Sequence, residues 1–120
     1  MNYRHLLVAL LVVTPLAHAT SFDCHKASTL VEKRICSSPL LGKLDDALAD
    51  DYRGMLATDL GDGPDNKSLN KEQRAWIAQR NKCATEKCLV DLYRKRVDDV
   101  CDAPVVRGVH AACVQSSDVL

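Results

Sequence analysis

The chain has 120 residues, of which 47% are hydrophobic and 27% are charged. This length suits one ordinary domain, and the composition is globular, which excludes a disordered chain. Lysine plus arginine equals aspartate plus glutamate at 16 each, so the basic excess that drives nucleic-acid binding is absent. We therefore expect no nucleic-acid partner.

The first 19 residues have the pattern of a secretory signal peptide. Arg4 supplies a positive charge, residues 6–16 are mostly apolar, and Ala17-His18-Ala19 is a small-x-small cleavage site. The apolar run is shorter than the roughly 20 residues of a membrane-spanning helix; the alternative is an uncleaved anchor. No cysteine for lipid attachment lies at the cut. We predict a signal peptide over residues 1–19 and a periplasmic or secreted mature chain without a membrane span.

Capping signals predict two helices near the start of the mature chain. Thr29 can cap a short helix that runs to Cys36, and Glu32 completes a capping box. Ser38 and Pro39 then suit the N-cap and first turn of a second helix. Apolar residues recur along this helix at steps of three and four, which is the strongest helical period in the chain. They are Leu41, Leu44, Leu48, Tyr52, Met55 and Leu56.

Two more helices are predicted after the glycine-rich segment of residues 61–66. The third runs from about Leu69 to Asn81 with Trp76 facing the core, and the fourth runs from a Thr85 cap to about Val100. No strand alternation is present. We predict an all-α fold, a small disulfide-stapled bundle or hairpin of four helices, with a helical domain over residues 20–100 and a disulfide-closed tail over residues 101–120.

Six cysteines in an exported chain of this size favour disulfides. Sequence alone cannot choose among the possible pairings; the simplest joins neighbours, as Cys24–Cys36, Cys83–Cys88 and Cys101–Cys113. A straight helix turns by about 500° over five residues and leaves the two side chains about 140° apart. The middle pair therefore requires a break between the third and fourth helices, where a cap at residue 85 would begin the new helix.

Signals for metal binding and catalysis are weak. Zinc is conceivable at Cys83, Cys88 and Cys101 with His110 or Cys113, but the C-x4-C spacing is looser than the C-x2-C of many zinc sites. A Cys–His nucleophile would need a free thiol. The chain has no C-x-x-C motif, no glycine-rich phosphate loop and no G-x-S-x-G elbow. We predict no catalytic residue, no metal and no cofactor.

Charge is segregated along the neutral chain. Residues 45–65 carry seven carboxylates and one basic residue, and residues 67–96 carry nine basic residues and three carboxylates. One interpretation is attraction between facing helices in an otherwise solvated fold. The other is an acidic surface that steers a cationic protein partner. For the second we predict Asp45, Asp46, Asp50 and Asp51 as partner-binding residues.

Three sequence blocks form a specific combination. They are F-D-C with E-K-R-I-C within residues 22–36, E-Q-R-A-W-I-A-Q-R-N-K-C over residues 72–83, and C-L with Y-R-K-R within residues 88–96. Over residues 22–97 the chain resembles the LprI-like family of lysozyme-inhibitor N-terminal domains. The resemblance implies a small, helical, exported bacterial protein with paired cysteines.

The resemblance also implies a function. We expect a non-enzymatic inhibitor that binds a cationic c-type lysozyme and blocks its cleft. The alternative is a periplasmic binding or immunity-type module with a different protein partner. A hydrolase or redox enzyme is a third hypothesis, which free thiols or bound zinc in the mature protein would support.

Overall fold

The computed structural model describes residues 21–57, 66–104 and 112–120. The predicted signal peptide and His110 lie outside these residues. The described part contains four α-helices, two short 3-10 turns and no strand, which confirms the all-α prediction. The helices are α1 (Leu30–Ser37), α2 (Pro39–Ala57), α3 (Asn66–Arg80) and α4 (Glu86–Cys101). None of them is long and apolar enough to cross a membrane.

Side-chain caps begin α1 and α4 where the sequence predicts them. Thr29 Oγ1 accepts the Glu32 amide hydrogen at 3.1 Å, and the Glu32 carboxylate accepts the Thr29 amide hydrogen at 3.0 Å. This reciprocal pair satisfies two backbone donors that a helix start otherwise leaves unpaired. Hydrogen bonds from the backbone of Thr29 and Ser28 lower the pKa of Glu32. The Thr85 side chain caps α4 without a reciprocal bond, accepting from the Cys88 amide at 3.1 Å.

The core lies mainly between α2 and α4, which pack more extensively on each other than any other pair of elements. Burial of each large apolar side chain stabilises the fold by about 1.5–3 kcal/mol. α1 adds Val31 and Ile35, and α3 adds Leu69 and Trp76. The buried apolar residues of α2 and α4 include Leu41, Leu44, Leu48, Met55, Leu89, Tyr93, Val97 and Val100.

Three disulfides cross-link the fold, and each joins two cysteines that are neighbours in the order of cysteines along the chain, as in the simplest predicted pairing. The Cα–Cα distances are 5.8 Å for Cys24–Cys36, 5.6 Å for Cys83–Cys88 and 5.5 Å for Cys101–Cys113. α3 ends at Arg80 and α4 begins at Glu86, so the helix break that the middle bond requires is present. All six cysteines are disulfide-bonded, which leaves no thiol for a nucleophile or a zinc ligand.

Residues 112–120 dock on α2 and α4. Asp98 on α4 accepts the Ser116 amide at 2.7 Å and the Ser116 hydroxyl at 2.8 Å. Arg94 Nη1 donates to the Ser116 carbonyl at 2.7 Å. Val119 is buried against the core, and the Cys101–Cys113 bond joins this segment to the end of α4. The segment is therefore part of the folded unit.

Candidate functional site

A groove of about 440 Å³ lies between α2 and α3. Asp46, Tyr52 and Arg53 line it from α2, and Gln73, Trp76 and Arg80 line it from α3. The Tyr52 hydroxyl donates to Asn70 Oδ1 and so ties the two helices together. Two of the four predicted partner-binding residues, Asp45 and Asp46, line this groove, and we take it as the candidate functional site.

Asp45 belongs to a buried polar network at the floor of the groove. It is 4% exposed, and its two oxygens accept from the Tyr93 hydroxyl at 2.7 Å and from the Ser21 amide at 2.6 Å. Arg80 Nη1 donates to the same Tyr93 hydroxyl at 3.3 Å, so the tyrosine bridges a buried acid and a buried base. Burial, followed by the charge of Asp45, raises the pKa of Tyr93. Asp45 therefore stabilises the fold and is not an accessible contact.

Trp76 anchors α3 to this network. It is 8% exposed, and its ring meets Tyr93 edge to face with centroids 4.9 Å apart. The Arg80 guanidinium carbon lies 5.8 Å from the Trp76 ring centroid, which adds a cation–π contact. Trp76 faces the core, as its helical spacing predicts.

Asp51 also lies in the interior, where it holds the C-terminal segment. It is 4% exposed, and its Oδ1 accepts from the Val114 amide at 2.9 Å. Its Oδ2 is buried and accepts no hydrogen bond within the described part of the chain. Burial raises the pKa of Asp51 above its ordinary value of 3.8, and the Val114 hydrogen bond opposes that shift.

The expectation that four carboxylates share one accessible surface does not hold for Asp45 and Asp51. The reason is their place in the helical period. Asp45 is four residues after Leu41 and three before Leu48, and Asp51 is three after Leu48. Both therefore lie on the buried face of α2. The apolar spacing that predicts α2 therefore also indicates that these two carboxylates are buried.

Asp46 and Asp50 remain on the outer side of α2, and we call them the acidic rim. Asp46 is half-buried and accepts no hydrogen bond from any described residue. Burial and the charges of Asp45 and Asp50 raise its pKa. Asp50 is exposed and forms an ion pair with Arg53 on the same helix. The acidic rim is therefore negative charge that the fold leaves only partly compensated.

The charge segregation is not neutralised by ion pairs between α2 and α3. Among the described residues, three ion pairs lie within single helices: Arg53–Asp50, Lys87–Asp91 and Lys95–Asp99. A fourth, between Arg96 and Glu72, joins α4 to α3. The described ion pairs thus do not support direct salt bridging between the acidic and basic helices as the reason for the segregation.

The buried carboxylate of Asp51 leads to a pH prediction. Because its pKa is higher in the folded chain, the folded chain binds this proton more tightly than the unfolded chain. Asp51 therefore lowers the free energy of unfolding as pH rises from below its unfolded pKa through its folded pKa. The variant Asp51→Asn keeps an oxygen acceptor for Val114 but does not titrate. Its free energy of unfolding relative to that of the wild type should therefore increase as pH rises through this interval.

Urea unfolding of the wild type and Asp51→Asn at a series of pH values between about 3 and 7 tests this linkage. The quantity compared is the difference between their free energies of unfolding at each pH. Every other titrating group whose environment is the same in both proteins contributes equally to the two values and drops out of this difference. A relative stability of the variant that falls, or stays constant, as pH rises would contradict the assignment.

The model of the family described as lysozyme inhibitor LprI matches residues 24–100. No curated protein and no solved structure matches the chain. The matched region contains the groove apart from Ser21, nearly all of the four helices and the first two disulfides, whereas residues 112–120 lie beyond it. Since the match spans more than half of the sequence, the chain belongs to the LprI family of lysozyme inhibitors.

Proposed function

We propose that this protein is an exported, non-enzymatic inhibitor that binds a cationic c-type lysozyme and blocks its cleft. Family membership over residues 24–100 supports lysozyme inhibition as the activity. The observation that carries the binding mode is the acidic rim, where Asp46 lines an open groove without a hydrogen-bond partner among the described residues. We also propose that residues 1–19 are removed on export.

The physical basis is electrostatic steering followed by rigid docking. Exposed carboxylates raise the encounter rate with a cationic surface, and salt screens this effect. Three disulfides and a shared α2–α4 core hold the helices in place before binding. A scaffold that is already ordered loses little conformational freedom when it binds, which favours affinity.

Lysis of a peptidoglycan suspension by a c-type lysozyme tests the proposal. We expect dose-dependent inhibition by the oxidised protein of residues 20–120. A reduced and alkylated sample should lose this inhibition, because the chain buries only a modest core and depends on its disulfides.

Absence of inhibition at a large molar excess of oxidised protein would contradict the proposal. The alternative of a binding or immunity-type module would then be tested by a pull-down from an envelope extract. A specific partner other than lysozyme in that experiment would favour the alternative.

A further inference from the structure

The outer face of α3 carries a line of exposed basic residues. They are Lys67, Lys71 and Arg74, and we call them the basic stripe. The steps of four and three residues between them turn the helix by about 400° and about 300°, so all three lie within about 60° of its circumference. At a rise of about 1.5 Å per residue, the basic stripe is about 10 Å long. It is therefore a compact patch of positive charge on one side of one helix.

The other sides of α3 are occupied by contacts within the fold. Trp76 is buried in the core. On one flank Asn70 Oδ1 accepts from the Tyr52 hydroxyl of α2, and on the other Gln73 Oε1 accepts from Arg96 Nε of α4 at 3.1 Å. The basic stripe lies on the remaining side of the helix, where its residues are exposed. An external partner can therefore reach all three of them.

The charge of the basic stripe is not compensated within the described part of the chain. None of its three residues forms an ion pair or a side-chain hydrogen bond with a described residue. Glu72 is the single carboxylate of α3, and it lies 4.0 Å from Arg96 on α4. Arg53, Lys87 and Lys95, in contrast, each pair with an aspartate of their own helix. The basic stripe is thus free to attract an anionic partner.

The residue types on this face favour an extended anionic surface as that partner. Protein interfaces centre on buried aromatic or aliphatic anchors, and binding of single-stranded nucleic acid uses aromatic stacking. The next residue along this side of α3 is Ala78, which supplies neither. The basic stripe also lines neither the α2–α3 groove nor the groove between α3 and α4. A lipid bilayer requires no anchor or pocket, because each lysine or arginine near an anionic bilayer contributes through its charge.

We propose that the basic stripe binds the surface of a bilayer that contains anionic phospholipids. The lipid phosphates accept hydrogen bonds from the two ammonium groups and the guanidinium. The stripe has no large apolar side chain to insert, so the association is peripheral and salt screens it. The basic stripe is on α3 and the acidic rim is on α2, and the proposal does not depend on lysozyme inhibition.

Co-sedimentation with lipid vesicles tests the proposal on the oxidised protein of residues 20–120, which contains every described residue. Vesicles of equal parts phosphatidylglycerol and phosphatidylcholine should bind the protein at an ionic strength of about 0.01 M and release most of it at about 0.15 M. Vesicles of phosphatidylcholine alone should bind none. Absence of binding to the anionic vesicles at the lower ionic strength, or equal binding to both kinds of vesicle, would overturn the proposal.

Two double variants locate the binding surface. Lys67→Gln, Lys71→Gln removes two charges of the basic stripe and should weaken vesicle binding by about fivefold for each charge. Lys26→Gln, Lys33→Gln is the matched control, because both lysines are exposed, lie outside α3 and form no ion pair with a described residue. It should bind within about twofold of the wild type. A circular dichroism spectrum establishes that each variant is folded. Equal weakening by the two variants would overturn the assignment to the basic stripe.

A second copy of the chain is the other candidate occupant, because its acidic rim has the opposite charge. Analytical ultracentrifugation without vesicles, at the same low ionic strength, distinguishes the two. The proposal predicts the same mass for the wild type and for Lys67→Gln, Lys71→Gln. A wild-type dimer that this variant converts to a monomer would assign the basic stripe to self-association and overturn the proposal.

Discussion

Replacing Asp45 by alanine is expected to lower the free energy of unfolding by about 3 kcal/mol. The substitution leaves the Tyr93 hydroxyl and the Ser21 amide without their acceptor. It also leaves the buried Arg80 guanidinium without the acid that balances it through Tyr93. Urea unfolding of the oxidised protein at neutral pH measures this loss.

The adjacent residue provides the control. Asp46→Ala removes a half-buried carboxylate that accepts no hydrogen bond within the described structure, so its stability should stay within about 0.5 kcal/mol of wild type. If Asp45→Ala is as stable as Asp46→Ala, the buried network does not have the role assigned to it.

Reversing the charge of the acidic rim is expected to slow association with c-type lysozyme by about tenfold at low ionic strength. The double variant Asp46→Lys, Asp50→Lys replaces attraction by repulsion on the outer side of α2, where Asp46 lines the α2–α3 groove. The difference from wild type should shrink as salt is added, since the charges are accessible to screening. Stopped-flow mixing or surface plasmon resonance measures the association rate directly.

A variant with the same change in net charge separates local from global effects. Asp91 and Asp118 are exposed and lie outside the α2–α3 groove. Asp91→Lys, Asp118→Lys should therefore slow association less than the acidic-rim variant does. Equal slowing by the two double variants would mean that net charge alone sets the association rate. An unchanged association rate in both variants would contradict electrostatic steering.

The local features of the fold were predictable because they depend on neighbouring residues. Thr29 and Thr85 mark the starts of α1 and α4 through capping interactions that span only three residues. The start of α3 is different: the structure begins this helix at Asn66, whereas the sequence prediction begins at Leu69. No apolar residue precedes Leu69 in the first turn, so hydrophobic periodicity has nothing there to detect.

The candidate site was predictable only in part. Charge counting found the acidic segment but treated its carboxylates as equivalent, although the period of α2 places Asp45 on the buried face and Asp46 on the groove. The partners of Asp45 are far away in sequence, since Tyr93 is 48 positions later. Such long-range pairs depend on how α2 and α4 pack, which no local pattern specifies.

The most direct test of the central claim is the equilibrium dissociation constant between the oxidised protein of residues 20–120 and a c-type lysozyme, measured at low and at high ionic strength. We expect saturable binding that weakens as salt rises, because the contribution that we propose for the acidic rim acts through charges that salt screens. Absence of saturable binding at the lowest ionic strength would contradict the assignment of lysozyme as the partner.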